Sequence, residues 1–361
     1  MKILHVFRAP VGGLFRHVCD LAAEQAKSGH DVGLLCDALT GGETAKAALK
    51  ALAPQLKLGV ARLPMPRMPG PADFVAVKTI GKHIRENDPG ITHGHGAKGG
   101  LYARLAKGAS KALYTPHGGS LHYQWSSPKG ALFLSAERIL LQRTDGLIFV
   151  CDFERRAFEE KIGKGDSPRK VIHNGLREEE FAPVELSEDA ADILFIGELR
   201  RLKGVDVLIE ALALLHARGE KYTAAIIGGG PDRAGFEDLI RQRGLEHAIS
   251  MPGPMPAREA FALGRVMTVP SRAESFPYVV LEALAAAKPV IATAVGGIPE
   301  ILPPENLVEP GDARALADKL SSVLCAPEKE GAEEKERERL KKDFTTAGMA
   351  EKALAFYKEL L

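Results

Sequence analysis

Two glutamates flank a short run that predicts the start of a helix. Glu274 and Glu282 enclose Ser275, Phe276, Pro277, Tyr278 and Val279, and an apolar β-branched run at 266–270 comes before them. Proline is favoured in the first turn of a helix. Backbone amides at a helix N-terminus bind anions such as a diphosphate, and carboxylates beside them suit the hydroxyl groups of a nucleotide sugar. The simpler interpretation is an acidic helix start that complements the helix dipole.

Basic residues follow the first predicted strand in the second half of the chain. Arg200, Arg201 and Lys203 come soon after the strand predicted at 193–197. Cations at the end of such a strand can neutralise the negative charge that grows on a leaving diphosphate. The alternative interpretation is a loop of solvated cations without a ligand.

Paired glycines and a histidine mark two loops in the first half of the chain. Gly12 and Gly13 lie between the strand predicted at 2–7 and the helix predicted from Leu14. They allow the backbone to approach a ligand at a helix N-terminus, although a simple tight turn explains them equally well. His117 follows the strand predicted at 112–115. As a neutral imidazole it can bond a sugar hydroxyl or a transferring oxygen.

Two well-known motifs are weak in this chain. His93 and His95 alternate along a predicted strand and point the same way, but neither an acidic partner nor a third ligand is evident. Ordinary strand-end histidines are therefore favoured over a metal site. The run Gly228-Gly229-Gly230 also follows a strand, but Arg233 occupies the third-glycine position of a dinucleotide-binding fingerprint, so a dehydrogenase is not favoured.

Composition restricts the function classes further. The chain has 361 residues, with 48 Lys and Arg against 47 Asp and Glu. This near-neutral balance argues against a protein whose main task is to bind nucleic acid. The four cysteines lie far apart, which favours the reducing cytoplasm over a disulfide framework or a zinc ribbon. We expect no signal peptide, because the apolar start ends at Arg8, and no membrane-spanning segment.

Short β-branched runs alternate with amphipathic runs along the whole chain, which predicts βα units on parallel sheets. The series begins twice, at Lys2 and again at Ile193, with an acidic linker predicted at 176–192. The charged tail from residue 328 predicts one or two closing helices, with Glu333 and Arg337 paired at i,i+4. Two open α/β sheets in tandem predict a ligand cleft between them, at the carboxyl ends of the strands.

Several of these features, taken in order, resemble the retaining GT-B glycosyltransferases of family 4. The features are Gly12-Gly13, Thr115-Pro116-His117-Gly118, His173-Asn174-Gly175, Gly197 with Lys203-Gly204, and Glu274 with Glu282. The resemblance extends over nearly the whole chain. It implies an α/β fold of GT-B architecture, with Rossmann-like parallel-sheet domains at 1–178 and 179–341 facing across a cleft. A C-terminal helix at 342–361 would cross back to the first domain.

The resemblance also implies roles for individual residues. Lys203 would hold the diphosphate of a nucleoside-diphosphate sugar, Glu274 would face the donor sugar, and Glu282 would bond the ribose. His117 would lie by the hydroxyl groups of the sugar. The loop of Gly12 and Gly13 would border the diphosphate and the acceptor.

One position departs from the family pattern. The family usually has arginine where this chain has Glu198, and Arg200 is the candidate replacement. No D-x-D motif that would hold a divalent cation is present. We therefore expect no metal and no cofactor beyond the nucleotide-sugar co-substrate.

The sequence thus predicts a retaining, metal-independent glycosyltransferase of the hexosyltransferase type. Its donor would be a nucleoside-diphosphate sugar, and its acceptor a hydroxyl group of a glycan, a polysaccharide precursor or a lipid-linked saccharide. Two alternatives stay open: a nucleotide-sugar epimerase of the same architecture, and a non-catalytic protein that binds nucleotide sugars. No nucleic-acid partner is expected.

A basic, amphipathic surface is predicted on one helix of the first domain. The helix predicted at 98–111 carries cations beside apolar residues, namely Lys98, Arg104, Lys107 and Lys111 beside Leu101, Tyr102 and Leu105. Such a surface can rest on anionic lipid and would place a cytoplasmic protein at the inner face of the plasma membrane. A plain solvated helix face is the favoured alternative.

Overall fold

The computed structural model describes residues 1–326 and 332–361, and in these ranges the predicted alternation of strands and helices is observed. The strands are β1 (Lys2–Phe7), β2 (Asp31–Asp37), β3 (Gly59–Leu63), β4 (Ile91–His95), β5 (Lys111–Thr115), β6 (Gly146–Phe149), β7 (Arg169–Val171), β8 (Ala191–Ile196), β9 (Ala224–Ile227), β10 (Ile249–Gly253), β11 (Gly264–Val269), β12 (Val290–Thr293) and β13 (Leu307–Val308). The α-helices are α1 (Gly12–Lys27), α2 (Gly42–Leu52), α3 (Ala72–Asn87), α4 (Gly96–Ala106), α5 (Pro128–Leu141), α6 (Asp152–Lys161), α7 (Val205–Ala217), α8 (Arg233–Gln242), α9 (Ala257–Ala260), α10 (Tyr278–Ala285), α11 (Ala313–Cys325), α12 (Ala332–Asp343) and α13 (Thr346–Leu360).

The first sheet is parallel, with the strand order β3-β2-β1-β4-β5-β6-β7. The order reverses between β1 and β4, which pair with Ile3 opposite Ile91 and His5 opposite His93. Ligands of open α/β sheets bind outside the carboxyl ends of the strands at such a reversal point. The loops after β1, β4 and β5 are therefore the part of this sheet that positions a site.

The second sheet is also parallel, with the order β10-β9-β8-β11-β12-β13. Its reversal point lies between β8 and β11, which pair with Ile193 opposite Val266. The central strands are short apolar runs covered by helices; Ile193, Ile226 and Leu208 belong to one buried cluster with Leu316 of α11. The loops that follow β8 and β11, together with helix α10, contain the donor-binding residues predicted for this domain.

The chain divides into two compact domains. The first domain contains Met1–Gly175 and Thr346–Leu361, and the second contains Leu176–Thr345. Helix α13 belongs to the first domain, where its side chains Met349 and Phe356 share a buried cluster with Ile3 and Ile91. The predicted pair of parallel α/β sheets and the return of the last helix to the first domain are confirmed. The domain boundaries predicted from the sequence stay predictions.

One helix was not predicted from the sequence, and part of the predicted tail lies outside the described residues. Helix α2 was not predicted, although its buried residues Ala45, Leu49 and Leu52 recur at i, i+4 and i+7, the period of an amphipathic helix. The predicted start of the tail at Glu328 and the side chain of Glu333, with its pairing to Arg337, lie outside the described residues. Arg337 forms an ion pair with Glu334.

The predicted basic surface at 98–111 is wrong. Helix α4 ends at Ala106, and Lys111 is the first residue of β5. Arg104 is fully buried and forms an ion pair of 2.7 Å with Glu137. Lys98 forms an ion pair with Asp73, and Lys107 one with Asp145. Three of the four predicted cations are thus paired with carboxylates within the protein and the fourth lies on a strand, so the helix does not present them on one basic face.

Among the described residues, none of the helices combines the length and the apolar composition that crossing a bilayer requires.

Candidate active site

The loops after β8 and β11, at the reversal point of the second sheet, are connected by hydrogen bonds. The backbone N–H of Arg272, after β11, donates to the carbonyl of Leu202, after β8, at 2.8 Å. The guanidinium of Arg272 also donates two hydrogen bonds, of 2.8 and 2.7 Å, to the carboxylate of Asp206. Bidentate arginine–carboxylate pairs fix geometry as well as add stability. The position of the loop after β8 is therefore fixed by the loop after β11.

Lys203 and Glu274, both predicted from the sequence, are in direct contact. Lys203 Nζ donates to Glu274 Oε1 at 2.6 Å, and the hydroxyl of Ser271 donates to the same oxygen at 2.7 Å. The Lys203 side chain is 29% exposed and that of Glu274 is 10% exposed. An ammonium group has three N–H donors, so the carboxylate orients Lys203 while donors remain for a ligand.

The start of α10 lies directly after Glu274. Ser275, Phe276 and Pro277 form the connection, and the helix begins at Tyr278. The N–H of Gly297 donates to the carbonyl of Ser275 at 2.6 Å, which holds this connection against the loop after β12. Val279 belongs to the first helical turn, where backbone N–H groups have no i−4 acceptor and the helix dipole is positive.

Glu282 and Arg200 lie further from this centre. Glu282 is a partly exposed residue one turn inside α10. Arg200 forms an ion pair of 3.6 Å with Glu198, and both side chains are 53% exposed. Exposed pairs of this kind contribute little stability, so this contact would not prevent Arg200 from turning towards a ligand. The structure thus brings together Lys203, Glu274 and the start of α10, with Arg200 on the same loop as Lys203.

Gly204 allows the loop after β8 to pack closely on β11. Its φ is +71°, and a Cβ atom at this position would overlap the carbonyl oxygen of Pro270. Any larger residue would have to adopt an unfavourable backbone conformation and also displace the loop that carries Lys203.

We expect Gly204→Ala to destabilise the second domain by about 2–4 kcal/mol, because left-handed strain and steric overlap add. Gly219→Ala is the matched control, since Gly219 has φ +87° but open space around its Cβ position; it should cost only about 1–2 kcal/mol. Urea unfolding followed by circular dichroism measures both. Equal losses in the two variants would show that the contact with Pro270 is not tight.

In the first domain, His117 lies in a loop with an unusual backbone. His117, Gly118 and Gly119 after β5 have φ values of 51°, 75° and 33°. The N–H of Gly118 donates to the carboxylate of Glu154, which also accepts from the N–H of Val150 at 3.0 Å. A non-glycine residue in the left-handed region is strained and persists only where its surroundings enforce it. The carboxylate of Glu154 is one such restraint on the His117 loop.

The predicted glycine pair lies at the start of α1. Gly12 and Gly13 are its first two residues, both are exposed, and Gly12 has φ +64°. A Cβ atom at Gly12 would meet nothing within 4 Å. The glycine is therefore required by the backbone conformation, and the space before this helix N-terminus is open.

Five histidines, four of them buried and His117 partly exposed, form a cluster at this loop, and the sequence predicted only part of it. His5, His17, His93, His95 and His117 are connected through ring contacts, with 4.0 Å between the ring centroids of His93 and His95. His5 and His17 were missed. His5 lies opposite His93 in the sheet register, so a predicted β1–β4 pairing would have brought it to notice.

The cluster offers two sets of three ring nitrogens that lie within 4.8 Å of one another: His5, His93 and His95, and His17, His95 and His117. In the first set every ring nitrogen has a hydrogen-bond partner. His95 belongs to both sets, so a metal ion would have to break bonds within the network. We therefore interpret the cluster as a hydrogen-bond network.

The cluster makes the first domain sensitive to acid. Burial lowers the pKa of His5 and that of His17 to about 4, and it holds the pKa of His93, His95 and His117 well below the ordinary value of 6.5. The unfolded chain therefore binds protons at a higher pH than the folded chain does. The stability that these neutral histidines contribute is complete above pH 6.5 and is lost as the pH falls towards 4.

We expect the unfolding free energy of the first domain to fall between pH 6.5 and 5, by at most about 1.4 kcal/mol per pH unit for each such histidine. His17→Gln should make this slope shallower by about that amount. His247→Gln, an exposed position in the second domain, is the control and should leave it unchanged. Urea titrations at several pH values give the slope. An identical slope in His17→Gln and the unaltered protein would contradict the assignment.

A cavity of about 470 Å³ lies in the first domain beside His117. Its walls are mainly apolar and include Leu101, Phe133 and Leu140. Arg8 and Arg67 also line it, and neither forms an ion pair with a carboxylate among the residues that the structure describes. The cavity therefore combines apolar surface with two cations available to an anionic group.

Comparisons with known proteins cover both domains. The family model "Glycosyl transferase 4-like domain" matches residues 12–175, and the family model "Glycosyl transferases group 1" matches residues 177–343. A D-inositol 3-phosphate glycosyltransferase of Kineococcus radiotolerans is 31% identical over 48% of this chain and 45% of its own length. An alpha-D-kanosaminyltransferase of Streptomyces kanamyceticus is 27% identical over 54% of each. The chain spans about half the length of the curated relatives that it matches.

Solved structures share the fold over the whole chain. Sucrose-phosphate synthase of Thermosynechococcus elongatus is similar with a TM-score of 0.81 and 22% identity over 100% of this chain and 99% of its own. Alr3699/HepE of Anabaena in complex with UDP is similar with a TM-score of 0.78 and 19% identity over 99% and 100%. These likenesses confirm the predicted GT-B architecture, and the family matches confirm the resemblance on which the assigned residues rest. The chain belongs to the group 1 glycosyl transferases, the GT-B glycosyltransferases of family 4.

Proposed function

We propose that this glycosyltransferase moves a sugar from a nucleoside-diphosphate sugar to a hydroxyl group of an acceptor. One observation carries the proposal: Lys203 Nζ lies 2.6 Å from Glu274 immediately before the N-terminus of α10. A cation, a carboxylate and a helix start at one place suit a diphosphate and the sugar attached to it. HepE, which shares the fold, binds UDP and UDP-glucose.

Lys203 would neutralise the charge that develops on the diphosphate as it departs. The amides at the start of α10 would add to this effect, because they are held in place before the reaction begins. The family usually has an arginine at the position of Glu198. Arg200, on the same loop as Lys203, would supply that positive charge here. With these groups the diphosphate is bound without a metal ion, and we expect chelators to leave the rate unchanged.

Glu274 and Glu282 would recognise hydroxyl groups. Glu274 faces the donor sugar in this proposal. Glu282, which lies one turn inside α10, forms a hydrogen bond with the ribose. His117 supplies a neutral imidazole to the sugar hydroxyls, and the start of α1 at Gly12 and Gly13 borders the diphosphate and the acceptor. Each residue has the role that the resemblance implies.

The transfer would proceed with retention of configuration. The bond between the anomeric carbon and the diphosphate oxygen breaks, and a bond from that carbon to the acceptor oxygen forms on the same face. The acceptor proton passes to the departing phosphate oxygen, so that no side chain has to act as a general base. The products are the glycosylated acceptor and a nucleoside diphosphate.

The cavity beside His117 favours one of the three expected acceptor classes. Its apolar walls suit a lipid chain, and Arg8 and Arg67 suit a phosphate or diphosphate that joins the chain to a saccharide. We therefore propose a lipid-linked saccharide as the acceptor. A saccharide carried on a short isoprenyl diphosphate should be a better acceptor than the same saccharide free in solution, and equal rates would remove this part of the proposal.

Product analysis tests the proposed reaction. A thermal-shift screen against UDP-, GDP- and ADP-sugars identifies the donor, and NMR of the product made with acceptor present gives its anomeric configuration. Release of nucleoside diphosphate with a retained anomeric centre supports the proposal. Conversion of the donor sugar without an acceptor would instead identify an epimerase, and binding without diphosphate release a non-catalytic protein.

A further inference from the structure

A chain of hydrogen bonds connects the interior of the first domain with His117. Gln25 Oε1, on α1, lies 2.8 Å from His5 Nε2, and His5 Nδ1 lies 3.0 Å from His95 Nε2. His95 Nδ1 lies 3.2 Å from His117 Nε2. Gln25, His5 and His95 are fully buried, while His117 is partly exposed and lines the cavity. The chain thus begins in a dry core and ends at a residue assigned to the substrate.

The direction of these hydrogen bonds follows from the first acceptor. A neutral imidazole has one N–H donor and one bare nitrogen, and burial keeps the pKa of these histidines low enough for the neutral form. The carbonyl oxygen of Gln25 only accepts, so His5 is protonated at Nε2 and bare at Nδ1. His95 must then donate from Nε2, which leaves its Nδ1 as the acceptor for the Nε2–H of His117.

A second branch of hydrogen bonds is compatible with this orientation of the Gln25 amide. The amide nitrogen of Gln25 lies 3.5 Å from the hydroxyl oxygen of Tyr357, which accepts its hydrogen. Tyr357 can then donate its own hydrogen to His93 Nδ1 at 2.6 Å, and His93 Nε2–H can donate to the hydroxyl oxygen of Thr115 at 2.8 Å. The opposite direction would require the amide to turn over and every imidazole in both branches to change its tautomer.

We propose that Gln25 is a positioning residue that fixes His117 in the tautomer with hydrogen on Nε2 and a bare Nδ1. The consequence for the substrate rests on the proposed function. With a bare Nδ1, His117 can accept a hydrogen bond from a hydroxyl group of the donor sugar, and it cannot donate one from that nitrogen. The site would then distinguish a sugar with a hydroxyl at the contacted position from one with fluorine, which cannot donate a hydrogen.

Long-range ¹H–¹⁵N NMR of the histidine-labelled protein, without any substrate, reads the tautomer of each ring directly. The His117 signals are assigned by their loss in His117→Asn. We expect His5, His95 and His117 all to be protonated at Nε2. A His117 ring protonated at Nδ1, or one that carries hydrogen on both nitrogens near neutral pH, would overturn the proposal.

Two substitutions at Gln25 separate positioning from packing. Gln25→Leu removes the acceptor at similar volume, whereas Gln25→Glu keeps a carboxyl oxygen that can accept from His5 Nε2 at the same place. We expect Gln25→Leu to give a mixture of His117 tautomers and about a tenfold lower kcat/KM for the donor, with less discrimination against the fluorinated sugar. Gln25→Glu should restore the single tautomer. Gln142→Leu, an exposed glutamine on the same domain, controls for the change of residue type.

These experiments distinguish failure of the positioning role from failure of the proposed function. If Gln25→Leu keeps one His117 tautomer and the original rate, the positioning role is wrong even though transfer occurs. If the tautomers are as expected but no nucleotide sugar is turned over, the proposed function fails and the tautomer assignment stands. If Gln25→Leu does not fold, the spectra of the unaltered protein and of Gln25→Glu still decide the tautomer.

Discussion

Lys203→Ala should lower the rate of donor turnover by about 10²–10³-fold, the usual cost of removing one preorganised group that stabilises developing charge. The loss should appear mainly in kcat, since the negative charge on the diphosphate is greater in the transition state than in the bound donor. Steady-state release of nucleoside diphosphate, measured with a coupled assay at several donor concentrations, gives kcat and KM separately.

The contact of Lys203 with Glu274 makes this substitution informative. Glu274→Gln retains a hydrogen-bond acceptor for the ammonium group and for Ser271, so it tests the charge on the carboxylate with little change in shape. Lys221→Ala removes an exposed lysine of the same domain that contacts a carbonyl, and its turnover should match that of the unaltered protein. A Lys203→Ala rate within a factor of two of that of Lys221→Ala would contradict the assignment of Lys203.

Arg104→Met should destabilise the first domain by about 3–5 kcal/mol, the cost of leaving one charge of a buried pair without its partner. The Arg104 guanidinium is fully buried, lies 2.7 Å from Glu137 and stacks over the ring of Tyr114 with its centre 4.0 Å away. Its loss leaves the Glu137 carboxylate in the core, where the hydroxyls of Tyr114 and Ser120 are its remaining partners among the described residues. Urea unfolding of the first domain, followed by far-UV circular dichroism, measures the change.

A second substitution shows whether the loss comes from the isolated charge. Glu137→Gln in the Arg104→Met background removes that charge while the side-chain oxygen still accepts from Tyr114 and Ser120, so at least half of the lost stability should return. Arg243→Met breaks an exposed pair with Glu210 and should cost less than about 1 kcal/mol. A small loss in Arg104→Met, similar to that in Arg243→Met, would mean that the buried pair is not needed for stability.

The residues predicted from the sequence with most success are those defined by local order along the chain. Strand β1 matches its predicted bounds of 2–7, because short β-branched runs between turn signals are local patterns. Lys203 and Glu274 each follow a predicted strand by a few residues, and the carboxyl ends of parallel strands meet at one edge of the sheet. Their contact in the structure is therefore consistent with the order of the motifs, although their roles stay proposals.

The features that the sequence did not predict depend on tertiary packing. Arg104 was expected on a basic surface, but α4 packs against β5 and α5. There the Arg104 guanidinium forms an ion pair with Glu137 and stacks over the ring of Tyr114. Nothing in the local pattern of charges distinguishes such an arginine from an exposed one. Gln25 and His5 belong to different elements, and only the pairing of β1 with β4 and the packing of α1 bring them beside His95.

A crystal structure with the nucleoside diphosphate selected by the thermal-shift screen shows where the diphosphate binds. We expect the diphosphate to contact Lys203 Nζ and the backbone amides at the start of α10, with the ribose hydroxyls at Glu282. A diphosphate bound elsewhere, with Lys203 still engaged only by Glu274, would contradict this expectation.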